Sequence, residues 1–377
     1  MAASGLSLAQ IAQVIKGDCQ DPTIIRDVVT DSRQLQARDL FVALKGDRFN
    51  GHDFLTQVAA AGAAGVVVSD PPLANLGIPV FHVPDTLVAY QQLAQYWRSQ
   101  WSMPIIGITG SVGKTTTKEL IAAVLATQGT VHKTQKNFNN EIGVPKTLLQ
   151  IEAKHDYAVV EMAMRARGEI ALLAEIAQPT IGLITNVGTA HIGRLGSEQA
   201  IAEAKCELLG HMPSDSLAIL NADNQRLMDT AATVWQGKTI TYGLQQGDLQ
   251  GTLLDAHTVQ INGQTYPLPL PGEHNASNYL AALAVAQAVG IDITQFAGQQ
   301  LVVELPGGRA KQWQLASDIV LLDETYNAGY ESMVAALKLL KATPGQRHIA
   351  VLGTMKELGE ASAQLHRQVG EQAEALG

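Results

Sequence analysis

Residues 105–116 run Ile105-Ile106-Gly107-Ile108-Thr109-Gly110-Ser111-Val112-Gly113-Lys114-Thr115-Thr116, an apolar stretch followed by a glycine-rich turn and Gly-Lys-Thr. The apolar stretch predicts a buried strand, and the residues after Lys114 predict a helix. Glycines allow backbone N–H groups to point at a phosphate, and the helix N-terminus adds its dipole. The stretch therefore predicts a phosphate-binding loop, although Ile108 stands where the common pattern has its first glycine. The alternative is a chance glycine-rich turn.

Working outward, the chain alternates short apolar runs with helical patterns. After the loop, the runs are Tyr157–Val160, Ile181–Ile184 and Leu217–Leu220, and before it Leu40–Leu44 and Gly65–Val68. Such alternation is typical of βαβ units that build a parallel sheet. The expected fold class is therefore α/β.

The pattern breaks twice, at Ser102-Met103-Pro104 and near Pro306-Gly307-Gly308. Beyond the second break, Ile319–Leu322 and Ile349–Leu352 predict two buried strands around a helix at Ser332–Lys341. A chain of this length is expected to form two or three domains. The predicted domains are residues 1–102, 103–305 and 306–377.

Composition excludes several classes of protein. The chain has 377 residues, is 46% hydrophobic and 16% charged, and carries a net charge of −9. Its 26 Lys and Arg are scattered, so a nucleic-acid surface is not expected. Cys19 and Cys206 have no metal-like spacing, which favours a reduced, cytoplasmic location. We expect neither a signal peptide in Met1–Gln10 nor membrane insertion, since no apolar stretch approaches the roughly 18 residues of a membrane span.

Polar residues follow most of the predicted strands. Glu161 ends the first run after the loop, Thr185-Asn186 and then His191 follow the next, and Asp323 follows Ile319–Leu322. Ligands of open α/β sheets bind beyond the carboxyl ends of the strands. Glu161 is therefore a candidate Mg²⁺ ligand beside the phosphate loop. The alternatives are a helix cap for such a carboxylate and an ordinary loop residue for His191.

Several ordered motifs resemble those of the Mur ligases, from about residue 30 to the last residue. Besides the phosphate loop, they are Asp31-Ser32-Arg33, Asn137-Phe138-Asn139-Asn140-Glu141-Ile142-Gly143, Val160-Glu161-Met162, Thr185-Asn186-Val187-Gly188-Thr189-Ala190-His191, Gly272-Glu273-His274-Asn275, Asp323-Glu324-Thr325-Tyr326-Asn327-Ala328 and Val351-Leu352-Gly353-Thr354-Met355-Lys356-Glu357-Leu358-Gly359. The asparagine-rich run and the last two motifs are most similar to the family member that adds D-alanyl-D-alanine.

The resemblance implies a central P-loop, parallel-sheet ATPase domain. A smaller N-terminal α/β domain would bind the UDP-linked substrate, and a C-terminal Rossmann-like α/β domain would complete the ligase. It also implies a cytoplasmic step of peptidoglycan synthesis. ATP would phosphorylate the terminal carboxylate of UDP-N-acetylmuramoyl-tripeptide, and the amine of D-alanyl-D-alanine would displace the phosphate. A carboxylate is a poor electrophile, and the anionic groups brought together require cations.

The resemblance also assigns residues to roles. It implies an ATP loop that includes Gly110, Ser111, Val112, Gly113, Lys114, Thr115 and Thr116. It implies Mg²⁺ ligands at Thr115 and Glu161, and for a second Mg²⁺ at His191 and Lys205, the lysine being carbamylated by CO₂. Further nucleotide contacts would come from His274, Asn275, Asn278, Arg309, Asp323 and Asn327, and substrate contacts from Ser32, Arg33, Asn139 and Asn140. Lys114, Lys205, His191 and Arg309 are the catalytic candidates.

Each of these assignments has a plainer alternative. Ser32 and Arg33 can be a turn and a solvated charge, Asn139 and Asn140 can stabilise a turn, and Asn275 can cap a helix. Arg309 can be a linker charge, and a helix lysine such as Lys205 is commonly a surface residue.

The sequence departs from the family at Gly329-Tyr330, where Asn-Pro is usual, and at Thr354, where Asp is usual. Both changes put the D-alanyl-D-alanine contacts in question. Because the chain stops at Gly377, an incomplete third domain is also expected.

Other functions remain open from the sequence. The enzyme alternatives are the ligase that adds the third amino acid and a folylpolyglutamate-type ligase. A nucleotide-dependent switch predicts an Asn-Lys-x-Asp motif, which the chain lacks. A truncated nucleotide-binding fragment without ligase activity is the third possibility. The expected oligomeric state is a monomer.

Overall fold

The computed structural model describes residues 5–46, 49–72 and 75–377. The first four residues of the predicted N-terminal domain lie outside the described residues, as do 47–48 and 73–74. The chain divides into two compact units. The first unit contains Met1–Met103, Asn137–Asp156 and Glu175–Gln178, and the second contains Pro104–Lys136, Tyr157–Ala174 and Pro179–Gly377.

The helices and strands alternate along most of the chain. The helices are α1 Leu8–Ile15, α2 Leu55–Ala60, α3 Thr86–Ser99, α4 Lys114–Leu125, α5 Gly143–Leu149, α6 Glu169–Ala177, α7 Ile192–Leu195, α8 Glu198–His211, α9 Gln225–Val234, α10 Glu273–Ala288, α11 Tyr330–Ala342 and α12 Ser362–Leu376. The strands are β1 Val28–Val29, β2 Leu40–Val42, β3 Gly65–Val68, β4 Val80–His82, β5 Ile105–Thr109, β6 Val131–Lys133, β7 Tyr157–Glu161, β8 Ile181–Ile184, β9 Leu217–Asn221, β10 Lys238–Gly243, β11 Leu249–Gln250, β12 Thr252–Asp255, β13 Thr258–Ile261, β14 Gln264–Pro267, β15 Lys311–Ala316 and β16 Ile319–Asp323. Among the helices so described, none is both long and apolar enough to cross a bilayer.

The first unit is built on a parallel sheet with the strand order β1-β2-β3-β4. Phe41, Val66 and Val68 are buried in its core, as expected for apolar runs covered on both faces. Helix α3 joins the later segments to this unit. Its Trp97 indole donates to the Ile151 carbonyl (3.0 Å), and its Arg98 donates to the Ala177 carbonyl (2.8 Å).

The second unit contains a seven-stranded parallel sheet with the order β11-β10-β9-β8-β5-β7-β6. Helices α4 and α10 pack on it, and Ile106, Ile108 and Leu280 are buried in the shared core. Strand β5 lies between β7 and β8. Because parallel strands end at one edge, the loop after β5 emerges beside the ends of β7 and β8. The predicted parallel α/β sheet is confirmed.

The C-terminal part of the second unit departs from the prediction. Helix α11 forms where expected and shares a small apolar core with α12, which includes Met333 and Leu365. Ile319–Leu322 does form a strand, but β16 pairs antiparallel with β15, and Ile319 and Leu321 are 51% and 47% exposed. The prediction of a buried strand at Ile349–Leu352 is wrong: the segment is irregular and Val351 is 93% exposed. An apolar run becomes a strand only beside a partner, and the described residues place none there.

Candidate active site

The phosphate loop has the conformation that only glycine adopts without strain. Gly110 has φ 154° and Gly113 has φ 84°. A Cβ at Gly110 would lie 1.9 Å from Thr185 Oγ1, and one at Gly113 would lie 2.6 Å from Asn278 Oδ1. Both positions therefore require glycine because of the backbone conformation and because of close neighbours. The loop leads directly into α4, whose first residue is Lys114.

The residues after β8 hold this loop in place. Asn186 accepts the Val112 N–H through Oδ1 (3.0 Å) and returns an Nδ2–H to the Val112 carbonyl (3.0 Å). Its own carbonyl accepts the Ser111 N–H (3.1 Å), and the Thr185 hydroxyl donates to the Val112 carbonyl (2.7 Å). The sequence placed Thr185 and Asn186 at a strand end, but assigned them no role. Their role could have been inferred only from their position opposite a glycine-rich loop, which the sequence does not reveal.

Lys114 is half-buried against the loop, and its ammonium donates to the Gly110 carbonyl (2.7 Å). Burial lowers the pKa of Lys114, Glu161 opposes that change, and the cationic Arg309 adds to it. Arg309 is therefore within electrostatic range of the loop. An anion bound at the loop would offset the cost of burying the ammonium.

A hydroxyl and a carboxylate meet at the start of α4. Thr115 Oγ1 donates to Glu161 Oε2 (2.9 Å), and both side chains are buried. Glu161 is anchored through its N–H, which donates to Thr134 Oγ1 (2.9 Å). The buried Lys118 ammonium lies 3.7 Å from Glu161 Oε2 and donates to the Thr134 carbonyl (2.8 Å). Hard oxygen donors of this kind fit Mg²⁺. Sequence reasoning missed Lys118, because its position inside a helix carries no signal.

A second group of titratable residues surrounds Lys205, which is 2% exposed on α8. Across the described ranges, its ammonium has no hydrogen bond or salt bridge. Burial holds the pKa of Lys205 well below its usual value, Lys114 adds to that effect, and Cys206 and Glu331 oppose it. At neutral pH, a larger fraction of this amine is therefore neutral, and so able to act as a nucleophile, than of an exposed lysine.

The charges of Lys205 and Lys114 also act on His191. Its backbone is left-handed (φ 67°), and its Nδ1 is 2.5 Å from Glu357 Oε2. Burial lowers the pKa of His191, the Glu357 carboxylate opposes that shift, and Lys205 and Lys114 add to it. The charges of Lys114 and Lys205 thus both act on His191, and the three residues are among the catalytic candidates of the sequence. No cluster of three or more His, Cys, Asp or Glu able to hold a metal occurs within residues 5–46, 49–72 and 75–377.

Helix α10 lies beside the loop and carries the predicted nucleotide residues. The Asn278 Oδ1 accepts from the Thr117 hydroxyl (3.1 Å), and its amide donates to Asn275 Oδ1 (3.3 Å). Gly272, and not Asn275, is the N-cap of this helix, so the capping alternative for Asn275 is excluded. Burial lowers the pKa of His274 to about 4.

Three predicted nucleotide contacts, Arg309, Asp323 and Asn327, lie in the C-terminal part of the second unit. The Arg309 guanidinium stacks 3.7 Å from the centre of the Tyr326 ring. Asp323 accepts from the Thr325 N–H (3.1 Å) and hydroxyl (2.7 Å), so it closes its own turn. Asn327 is exposed. Neither Asp323 nor Asn327 hydrogen-bonds to residues 110–116 in the described part of the chain.

The predicted substrate residues all belong to the first unit. Arg33 is paired with Asp31 (2.8 Å), and its side chain is 85% exposed. Ser32 begins the short 3-10 helix Ser32–Gln34. Asn140 Oδ1 accepts from the Gly143 N–H (2.9 Å). This bond is the one expected if Asn140 stabilises a turn. The Asn139 N–H donates to the Asn137 carbonyl (2.8 Å).

Comparison with known proteins places this site in a family. Three sequence profiles match the chain: the catalytic domain of the Mur ligase family over residues 24–98, the Mur ligase middle domain over 108–286, and the Mur ligase glutamate ligase domain over 308–376. The three-domain α/β architecture predicted from the sequence is thereby confirmed.

Relatives and solved structures agree with these profiles. The UDP-N-acetylmuramoyl-tripeptide–D-alanyl-D-alanine ligase of Synechocystis sp. is 61% identical over 94% of this chain and 78% of its own length. The Escherichia coli ligase of the same name is 37% identical over 99% of this chain and 84% of its own. A crystal structure of MurF from Acinetobacter baumannii superposes with a TM-score of 0.89 at 33% identity, covering 98% of this chain and 83% of that one. The Thermotoga maritima MurF ligase in complex with ADP gives 0.83 at 30% identity, over 92% and 82% of the two chains.

Proposed function

The chain belongs to the Mur ligase family, and we propose that it is the ATP-dependent ligase that adds D-alanyl-D-alanine to UDP-N-acetylmuramoyl-tripeptide in peptidoglycan precursor synthesis. The observation that carries this function is the 61% identity, over 94% of the chain, to a relative of that name. The phosphate loop and the cations around it supply the chemistry that such a reaction needs.

The reaction proceeds in two steps. The terminal carboxylate of the tripeptide attacks the γ-phosphorus of ATP, which gives an acyl phosphate and ADP. The amine of D-alanyl-D-alanine then attacks the acyl carbon and loses a proton, and inorganic phosphate leaves from the tetrahedral intermediate. In the first step a carboxylate meets a triphosphate, so the developing negative charge must be neutralised. Lys114 is half-buried at the loop and serves this purpose, with Arg309 within electrostatic range.

The magnesium ligands are assigned on the chemistry of the donor set. Thr115 and Glu161 would hold the ion that accompanies ATP, since their oxygens lie side by side. His191 and Lys205 would hold a second ion. When bound, Mg²⁺ withdraws electron density from the phosphoryl and acyl oxygens and orients them.

Lys205 fits the second site only after modification. An ammonium repels a cation, whereas the neutral amine of Lys205 can attack CO₂, form an N–C bond and release a proton. The resulting carbamate is an oxygen ligand with negative charge. The burial that lowers the pKa of Lys205 favours this reaction, because it raises the fraction of neutral amine.

The remaining assignments complete the proposal. Gly110, Ser111, Val112, Gly113 and Thr116 would bind phosphate through the loop, and His274, Asn275, Asn278, Asp323 and Asn327 the rest of the nucleotide. Ser32, Arg33, Asn139 and Asn140 would bind the UDP-linked substrate. We place the domain limits near residues 102 and 305, and propose a cytoplasmic monomer.

Phosphate release from ATP tests the function. Release is expected only when UDP-N-acetylmuramoyl-tripeptide and D-alanyl-D-alanine are both present, with a pentapeptide product seen by mass spectrometry. Release with UDP-N-acetylmuramoyl-dipeptide and a free diamino acid would assign the chain to the step that adds the third amino acid. Phosphate release that does not depend on either substrate would indicate an ATP hydrolase and contradict the proposal.

A further inference from the structure

The loop that carries His191 is contacted by two carboxylates from the C-terminal part of the chain. We call residues Gly188–Arg194 the histidine loop. Glu331, in the first turn of α11, accepts the Thr189 N–H (2.6 Å) and the Thr189 hydroxyl (3.3 Å). Glu357 accepts from His191 at 2.5 Å. Neither carboxylate has a role in the reaction proposed above.

The contact between Glu357 and His191 fixes where the imidazole carries its proton. A carboxylate only accepts hydrogen bonds, so Nδ1 of His191 must be the protonated nitrogen. A neutral imidazole has one N–H, which leaves a lone pair on Nε2. Histidines that bind metals commonly show this arrangement, with the second nitrogen donating to a carboxylate.

The backbones of His191 and Glu357 hold the two side chains in contact. His191 and Glu357 are non-glycine residues in the left-handed region, with φ 67° and φ 61°. The Gly193 N–H donates to the Glu357 carbonyl (3.0 Å), and Arg194 approaches Glu357 Oε1 at 3.2 Å. Gly193 leaves no room for a side chain, because its Cβ would lie 2.4 Å from the Gly359 nitrogen. Left-handed conformations of such residues cost free energy and persist where the surroundings enforce them.

We propose that Glu357 is the positioning residue for His191: it selects the tautomer whose Nε2 can bind a divalent cation, and so couples the docking of residues 308–376 to metal affinity at Lys205 and His191. This rests on the proposed function, which makes His191 a metal ligand. Because coupling is reciprocal, the cation also stabilises the docked C-terminal part. Glu331 fastens the same loop two residues earlier, through Thr189.

The tautomer is measured directly on the full chain without metal. Protein labelled with ¹⁵N-histidine is observed at pH 8 by long-range ¹H–¹⁵N correlation, with His191→Asn to assign the signal. We expect Nδ1 to be protonated in the wild type and both tautomers to be populated in Glu357→Ala. Glu371→Gln, an exposed change on α12, is the control and should match the wild type. An unchanged tautomer in Glu357→Ala would overturn the proposal.

Metal binding is then measured with Mn²⁺ by electron paramagnetic resonance, in the presence of a non-hydrolysable ATP analogue. Loss of such an orienting partner weakens metal affinity about 10–100-fold, and that loss is expected for Glu357→Ala at the site formed by His191 and Lys205. If Glu357→Ala does not fold, as judged by thermal unfolding, Glu357→Leu keeps most of the side-chain volume and removes the acceptor. Unchanged Mn²⁺ affinity in a folded variant would overturn the coupling. If the wild type fails to ligate D-alanyl-D-alanine, the proposed function fails while the tautomer result still stands.

Discussion

The Thr115 hydroxyl donates a 2.9 Å hydrogen bond to Glu161 Oε2 across the boundary between α4 and β7. Glu161 accepts this bond in a buried setting, where the Lys118 ammonium lies 3.7 Å from Glu161 Oε2 and 3.2 Å from Glu119 Oε1. A cation that binds the two oxygens would replace the Thr115 proton as their shared partner. The pair therefore links the first turn of the phosphate-loop helix to the end of β7, the strand beside β5 in the sheet.

Replacing Lys114 by alanine should abolish ATP turnover without unfolding the protein. The substitution removes the cation that neutralises the transferring phosphoryl group, which we expect to cost at least about 100-fold in kcat. Its ammonium donates to the Gly110 carbonyl (2.7 Å) and, at 3.5 Å, to the Ser111 carbonyl, both within the loop itself, so stability should change little. Steady-state phosphate release and thermal unfolding measure the two effects. Lys238→Ala removes an exposed lysine and should leave both unchanged. Wild-type turnover in a folded Lys114→Ala protein would place the ATP site elsewhere.

Gly113→Ala should destabilise the loop. Alanine would have to adopt φ 84°, and its Cβ would lie 2.6 Å from Asn278 Oδ1. A strained left-handed residue costs about 1–3 kcal/mol of unfolding free energy, and the displaced Asn278 should weaken nucleotide binding as well. Urea unfolding and titration with a fluorescent ADP analogue measure the two losses.

Gly210→Ala is the matched control for this change. Gly210 lies in α8 with nothing within 4 Å of its Cβ position, so alanine should be neutral or stabilising by up to about 1 kcal/mol. Equal stability of the two variants would show that the loop tolerates a side chain.

The sequence predicted those parts of the site that depend on local patterns. The apolar run before Gly110 predicts strand β5, and the spacing from Gly110 to Lys114 predicts the phosphate loop. Both predictions depend only on residues that are adjacent in the sequence. The partners that hold the site together are distant: Asn186 is 74 positions from Val112, and Glu357 is 166 positions from His191. No local pattern pairs such residues. The failed strand at Ile349–Leu352 has the same cause, since a strand depends on a neighbour that an apolar run does not reveal.

Stability between pH 6.5 and 4 should depend on His274. Burial lowers the pKa of His274 to about 4 from an ordinary 6.5, so in this window the unfolded chain takes up a proton that the folded chain does not. His274 therefore contributes stability that is complete above pH 6.5 and is lost as the pH falls toward 4. His274→Asn should flatten the pH dependence of the urea midpoint over this range. Equal slopes for His274→Asn and the wild type would exclude this role for His274.

Lys205→Met should raise the stability of the protein and lower its ligase activity. The buried Lys205 ammonium has no hydrogen bond or salt bridge in the described residues, so an apolar side chain of similar length removes a desolvated amine. We expect the unfolding free energy to rise by at least about 1 kcal/mol without metal, while ligation falls sharply and ADP binding persists.

Lys238→Met, at an exposed position, controls for the change in hydrophobicity and should alter none of these quantities. Added formate should restore part of the activity of Lys205→Ala, because a small carboxylate can occupy the ligand position that the carbamate would fill. ¹³CO₂ should give a carbamate carbon signal in the wild type that is absent in both Lys205 variants. A Lys205→Met protein that ligates at the wild-type rate, with no carbamate signal in the wild type, would remove Lys205 from the reaction. Its burial would then be a cost in stability that the reaction does not require.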